Sequence, residues 1–332
     1  MRRRAFIGLI GGLAVSPIAG RAQQPAKMKR LALADPALKV ADMRIGGDPG
    51  YTSGLQELQR LGYIEGQNLI IDRFSADGTG KYGDLVTKVV NAHPDVIFAL
   101  GTSITLALKA ATSTIPIVAM TGDPIRFGVV SSLSHPGGNV TGVSVDAGVE
   151  LWGKRLELLA EAIPKARNVL FVSTQAGWEA AGGKETREVA QRLGIALAHA
   201  PVSTPVTEQA YSDAFQAIQR DQVDGLVIAN ITIAYAHRFL LVKLAQQIGL
   251  PTMFVFREQV EAGGLMSYSM DHKNAVRVAI AQVAEVLRGS KPGEMPYVQG
   301  TRYEFVINLK AAKAIGLTIP PALLARADEV IE

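Results

Sequence analysis

The sequence contains no cysteine. Disulfides, thiolate metal sites and a lipid anchor on an N-terminal cysteine are therefore excluded, and the folded part must hold together by core burial. Catalytic signatures are missing as well. There is no Walker loop and no zinc-protease helix, and the nearest approach to a nucleophile elbow, Gly142-Val143-Ser144-Val145-Asp146, lacks the second glycine. The five histidines, His93, His135, His199, His237 and His272, are far apart and none is paired at metal-ligand spacing. No catalytic residue, metal ligand or cofactor is assigned. Beyond the N-terminal leader no apolar run approaches the roughly 20 residues that a membrane span needs. No repeat of 20–50 residues and no low-complexity tract is present, which excludes solenoids.

What is there is a chain of 332 residues, 48% hydrophobic and 19% charged, with its 33 Gly and 16 Pro dispersed. That is globular composition, with length for two domains. The formal charge of +4 invites a nucleic-acid or membrane-surface partner only if the excess lies on a folded face. It does not: Arg2, Arg3, Arg4 and Arg21, with no acid among the first twenty-two residues, account for all of it. No nucleic-acid partner is expected. Those arginines frame an apolar, small-residue run from Ala5 to Ala19, followed by Gly20-Arg21-Ala22. Together they make the n-region, h-region and small-x-small cleavage site of a secretory signal over residues 1–22. Arg3-Arg4-Ala5-Phe6-Ile7 resembles a twin-arginine signal, and an Arg-rich Sec leader reads equally well. The expectation is a free periplasmic protein without stable membrane insertion once the leader is removed.

From Arg30 onward short apolar runs alternate with amphipathic segments. Strands are expected at Leu31–Ala34, Leu69–Phe74, Val96–Leu100, Ile117–Ala119, Val140–Val145, Val169–Val172, Ile195–Ala198, Gly225–Ile228, Thr252–Val255 and Leu265–Tyr268. Helical patterns fill the intervals, among them Tyr51–Leu61, Tyr82–Ala92, Glu150–Ala162, Glu179–Leu193, Glu208–Arg220, Ala236–Ile248 and Asn274–Arg288. This is βαβ spacing, hence an α/β fold with parallel sheets buried on both faces. Ten or eleven strands exceed one comfortable open sheet, and Pro136-Gly137-Gly138-Asn139 with the stretch after Val145 offers a break. Two doubly wound lobes are expected, residues 28–145 with 264–300 in the first and 146–263 with 301–332 in the second.

Ligands of open α/β sheets sit beyond the carboxyl ends of the strands. Gly101-Thr102-Ser103 follows a strand and opens a helix, so its hydroxyls and first-turn N–H groups suit a carboxylate. Thr102 or Ser103 could equally cap that helix. Asp123, in Gly122-Asp123-Pro124, could take an amine or hydroxyl, or cap the helix that Pro124 begins. Thr174 and Asn230 end strands of the second half, and Asn230 can both donate and accept. Arg257 is expected to pair with Glu258 or Glu261 rather than with a ligand.

Segments along nearly the whole chain resemble the periplasmic substrate-binding proteins of ABC importers, in the type I fold group whose members bind tryptophan, tyrosine or phenylalanine. They include Leu61-Gly62-Tyr63-Ile64-Glu65-Gly66, His135-Pro136-Gly137-Gly138-Asn139-Val140-Thr141-Gly142, Lys154-Arg155-Leu156-Glu157-Leu158-Leu159 and Glu261-Ala262-Gly263-Gly264-Leu265-Met266-Ser267-Tyr268. The resemblance implies two lobes joined by crossing strands, a small-molecule solute trapped between them, and closure that presents a surface to an ABC permease with its ATPase. Thr102, Ser103, Asp123, Thr174 and Asn230 fall where such proteins hold their ligand. Two positions depart from the pattern. Asp35-Pro36-Ala37-Leu38-Lys39 replaces a Ser/Gly-rich loop, and Asn230 stands where an Asp, the natural partner of an α-ammonium group, is usual. The same scaffold serves sensory receptors and, more rarely, secreted enzymes. A sugar-sensing repressor would instead carry a helix-turn-helix where this chain has its leader.

The leader pattern predicts that the exported protein begins at Gln23. N-terminal sequencing of the mature form checks this; an intact Met1 on a membrane-lodged protein would overturn it.

Overall fold

The computed structural model describes residues 28–145, 148–229, 231–300 and 302–332. The expected leader, residues 1–22, and Asn230 lie outside the described residues. The first sheet contains β1 (Lys29–Asp35), β2 (Leu69–Ser75), β3 (Val96–Leu100), β4 (Ile117–Thr121) and β5 (Val140–Ser144). The second contains β6 (Asn168–Ser173), β7 (Ala196–Pro201), β8 (Gly225–Ile228), β9 (Thr252–Phe254) and β10 (Met266–Met270). Three late strands complete them, β11 (Val298–Gln299) in the first sheet, β12 (Tyr303–Asn308) and β13 (Glu329–Ile331) in the second. The orders are β11-β5-β4-β3-β1-β2 and β13-β12-β10-β9-β8-β6-β7. All pairings are parallel except β10 with β12.

The strands read as near-continuous apolar runs because both of their faces are covered. Val96, Ile97, Phe98 and Ala99 of β3 are all fully buried. One face of the first sheet packs on α1 (Pro49–Arg60) and α11 (His272–Leu287), and the other on α2 (Gly83–Asn91) and α3 (Thr102–Ala111). The second sheet is covered by α4 (Glu150–Ala162) and α6 (Ala181–Leu193) on one face. On its other face lie α7 (Glu208–Gln216) and α9 (Arg238–Ile248). Three short helices, α5 (Gln175–Glu179), α8 (Ile231–Ala236) and α10 (Arg257–Glu261), sit at strand ends.

One assignment differs from the sequence expectation. Residues 264–300 were expected in the first lobe, yet β10 pairs with β9 and β12 in the second sheet. The chain therefore returns to the first lobe after Met270, and α11, which follows, packs against α1. A strand next to a crossing can join either sheet; its partner is fixed by non-local pairing that periodicity does not report. The lobes are linked by three crossings, between β5 and α4, between β10 and α11, and between β11 and β12.

In each sheet the chain winds outward in two directions from one point: from β1 to β2 on one side and through β3, β4 and β5 on the other, and likewise from β6 to β7 and through β8 and β9. The gaps beyond the carboxyl ends at β1/β3 and β6/β8 are topological switch points. They face one another across the space between the lobes.

Gly142 in β5 stands opposite Ala119 of β4, and a Cβ there would lie 1.9 Å from the Ala119 carbonyl oxygen. Gly142→Ala must therefore part β4 from β5 and is expected to destabilise the protein by about 3 kcal/mol. Urea unfolding checks this, and an unchanged midpoint would refute so close an approach.

Candidate functional site

A cavity of about 990 Å³ lies between the two switch points, walled by both lobes. Thr102, Ser103, Asp123 and Thr174 all line it. Strand-end reasoning thus brings four of the five named residues to one place, and the fifth, Asn230, lies outside the described residues.

Their local roles differ. Gly101 takes φ +102° and caps α3 without a side-chain hydrogen bond, so the first-turn N–H groups of this ten-residue helix lack side-chain partners. Thr102 does not cap its own helix: its Oγ1 accepts the Gly122 N–H at 3.1 Å and ties the β3–α3 loop to the end of β4. Ser103 is exposed, and its hydroxyl makes no hydrogen bond with a described residue. Asp123 Oδ1 accepts the N–H groups of Ile125 and Arg126 at 3.1 and 3.0 Å, so this carboxylate braces the turn after Pro124. Thr174 Oγ1 accepts from Gly177 N at 3.1 Å and caps α5. Across the cavity α6 also starts without a side-chain cap, its first turn lined by Ala181, Gly182 and Gly183. Two helix N-termini, one from each lobe, therefore border the same space, and their partial positive charge favours an anionic group there.

Arg257 is held away from this site. It pairs with Glu261 at 2.8 Å, Glu304 at 3.1 Å and Glu329. The expected Glu261 partner is present; the other two come from β12 and β13, which the sequence reading did not identify as strands.

Several cavity residues were not foreseen. Asp35, at the end of β1, is fully enclosed and accepts hydrogen bonds from Ala37 N, Leu38 N and the Tyr51 hydroxyl at 2.9, 2.7 and 3.0 Å. Burial raises its pKa above the ordinary value, and the three donors only partly offset that. Asp48 is 1% exposed at its side chain. Its Oδ1 accepts from Gly50 N and Tyr51 N, capping α1 at 2.9 and 3.2 Å. Its Oδ2 accepts from the Tyr235 hydroxyl at 2.9 Å and lies 3.1 Å from Arg238 Nη2. Burial, with Glu258 and Asp48 adding to it, pushes the Tyr235 hydroxyl far above its ordinary pKa, so it remains a donor. The Tyr235 ring packs against Phe256 and His272, with centroids 5.1 and 4.6 Å apart. An Asp before Pro49 signals a cap, and an Arg within the otherwise apolar start of α9 is an anomaly; neither signal identifies its partner.

Among the described residues no helix is long and apolar enough to cross a membrane, and no group of His, Asp and Glu is arranged to hold a metal ion.

A family model described as ABC transporter substrate binding protein matches residues 48–331. The chain is 26% identical over 269 residues to a tyrosine-binding protein of Clostridioides difficile, spanning 79% of this chain and 75% of that one. A conserved domain protein of Vibrio cholerae, solved by crystallography, superposes with TM-score 0.78 at 28% identity, covering 92% of this chain and 100% of that one. An ABC domain of Streptococcus pneumoniae in complex with L-Trp superposes with TM-score 0.75 at 24% identity, with coverage of 92% and 100%.

The raised pKa of Asp35 has a definite sign. The folded state holds this proton more tightly than the unfolded chain, so stability falls as pH rises from the ordinary Asp value, about 3.9, through the raised folded value. Asp35→Asn keeps an oxygen for Ala37 and Leu38 and has no proton to lose. Its melting temperature relative to the wild type is expected to rise with pH across that window, and parallel melting-versus-pH curves would contradict the assignment.

Proposed function

We propose, from the premise that this chain belongs to the ABC transporter substrate binding protein family, that its cleft captures a small carboxylate-bearing solute and delivers it to an ABC permease and its ATPase. The carrying observation is the cavity between the two switch points, lined by both lobes, with the uncapped start of α3 at its wall. Thr102, Ser103, Asp123, Thr174 and Asn230 are proposed as the ligand-binding residues. First-turn N–H groups and a Ser103 hydroxyl that have no side-chain partner among the described residues supply what a carboxylate requires. Asp123 offers its second carboxylate oxygen to a donor. Tyr51, Trp152, Tyr235 and Phe256 provide apolar walls that suit a planar or aromatic body. The tyrosine-binding relative and the L-Trp complex support an amino acid as the first solute to try.

Binding that engages both lobes is expected to favour their closure. The leader places capture in the periplasm. The role proposed is that of a receptor, which membership in a family of substrate-binding proteins supports.

L-tryptophan and L-tyrosine are the first probes, beside mass spectrometry of small molecules released by denaturing the purified protein. A bound solute should reduce the radius of gyration in small-angle scattering and stabilise the fold by roughly 2.7 kcal/mol at a hundredfold excess over Kd. Ser103→Ala should weaken binding about tenfold, the worth of one hydrogen bond to a charged group, while leaving the melting temperature of the free protein unchanged. Tight binding without compaction, or equal affinity in the variant, would move the site elsewhere.

A further inference from the structure

We propose that Asp48, Tyr235 and Arg238 form a latch that positions the two lobes for capture, so that contact between protein groups defines the closed form and loss of any one partner shifts the balance toward the open one. The proposal rests on the reading that the lobes close on a solute.

One carboxylate serves both lobes. Oδ1 of Asp48 belongs to the first lobe, where it caps α1. Oδ2 belongs to the seam, where it receives Tyr235 and Arg238 of the second lobe at 2.9 and 3.1 Å. Neither donor lies on a crossing segment, so both contacts exist only while the lobes are apposed. Their geometry is prepared from the second lobe alone. Arg238 Nη1 donates to the Tyr235 carbonyl at 3.1 Å, and the guanidinium sits 4.7 Å from the centroids of both the Tyr235 and the Phe239 rings.

The latch is continuous with a wall of the cavity. β8 ends at Ile228, Ala229 lines the cavity, Tyr235 and Ala236 at the end of α8 line it again, and Arg238 opens α9 two residues later. A solute that settles against this segment fixes the element that carries both latch donors. Arg238 itself does not line the cavity, so any effect of its loss on affinity is transmitted through lobe position.

Buried ion pairs forfeit hydration that opening restores, so the intact latch adds little net attraction while specifying one closed geometry. Removal of a single partner acts differently, because it strands the Asp48 carboxylate in the seam.

The cysteine-free chain permits a direct test. Lys88→Cys on α2 and Gln216→Cys on α7, both exposed, carry one spin label on each lobe for pulsed distance measurement. Without solute, Arg238→Met and Tyr235→Phe should lower the ratio of short-distance to long-distance population by about tenfold or more, the scale of one hydrogen bond to a charged group. Adding Asp48→Asn to Arg238→Met should recover part of the short-distance population, since asparagine still caps α1 and leaves no stranded charge. For whichever of L-tryptophan and L-tyrosine binds, Arg238→Met should weaken affinity in step with the lost closed fraction. Unchanged distances with only lowered melting would overturn the latch and leave ordinary packing. If the probes close wild type and variants alike with equal affinity, the latch falls and the capture reading survives. If the variants open while neither probe moves the wild type, the latch stands and closure on such a solute falls.

Discussion

Parallel strands buried on both faces leave only their ends free for interaction. Here the constraint applies twice, since helices cover both sides of each sheet; β8 is buried along its length and β3 along all but its last residue, Leu100. The hydroxyls, carboxylates and N–H groups that can meet a solute therefore gather beyond the carboxyl ends, in the loops and in the helices that follow them. Because each sheet reverses its winding beside its first strand, those loops spread apart at one point per lobe. The two points face each other, and the helices that begin there turn their positive ends to the same space. Cavity, polarity and enclosure all descend from the way the strands are covered.

The same covering made most of the fold legible. Short, mostly apolar runs at βαβ spacing are what a doubly covered strand requires, and β1 to β10 overlap the runs named from the sequence. The late strands were less readable for physical reasons. β11 has two residues, β13 has three, and β12 enters antiparallel to β10 on the far side of a crossing. The placement of β10 itself depended on partners 13 and 33 to 41 residues away, in Thr252–Phe254 and Tyr303–Asn308, which no local pattern encodes.

Which residues line the cavity was legible to the extent that position alone decides. Thr102, Ser103, Asp123 and Thr174 were named because they follow strands, and all border the cavity. What each oxygen does there could not be read, since a hydroxyl or carboxylate after a strand satisfies a cap and a ligand with the same chemistry. The structure divides them: Thr174 and one oxygen of Asp123 serve backbone N–H groups, Thr102 serves a neighbouring loop, and Ser103 has no hydrogen-bond partner for its hydroxyl among the described residues. Asp48 escaped notice for the complementary reason. As a residue preceding Pro49 it reads completely as a helix cap, and its second oxygen finds meaning only in Tyr235, 187 positions later.

The chemistry of that seam bears on reversibility. Had the lobes met through apolar side chains alone, beyond the Tyr235 and Phe256 rings against His272, each closure would gain about 25 cal/mol for every Å² removed from water, and each opening would have to surrender it. A large apolar seam would hold the cleft shut whether or not it was filled. A carboxylate facing a guanidinium and a phenol behaves otherwise: attraction on closing is set against lost hydration, and the two nearly cancel. What survives the cancellation is direction, because hydrogen bonds at 2.9 and 3.1 Å to one oxygen tolerate little rotation of one lobe against the other. A receptor that must both retain and release its solute gains from such a seam a closed form of defined shape whose population the solute can still decide.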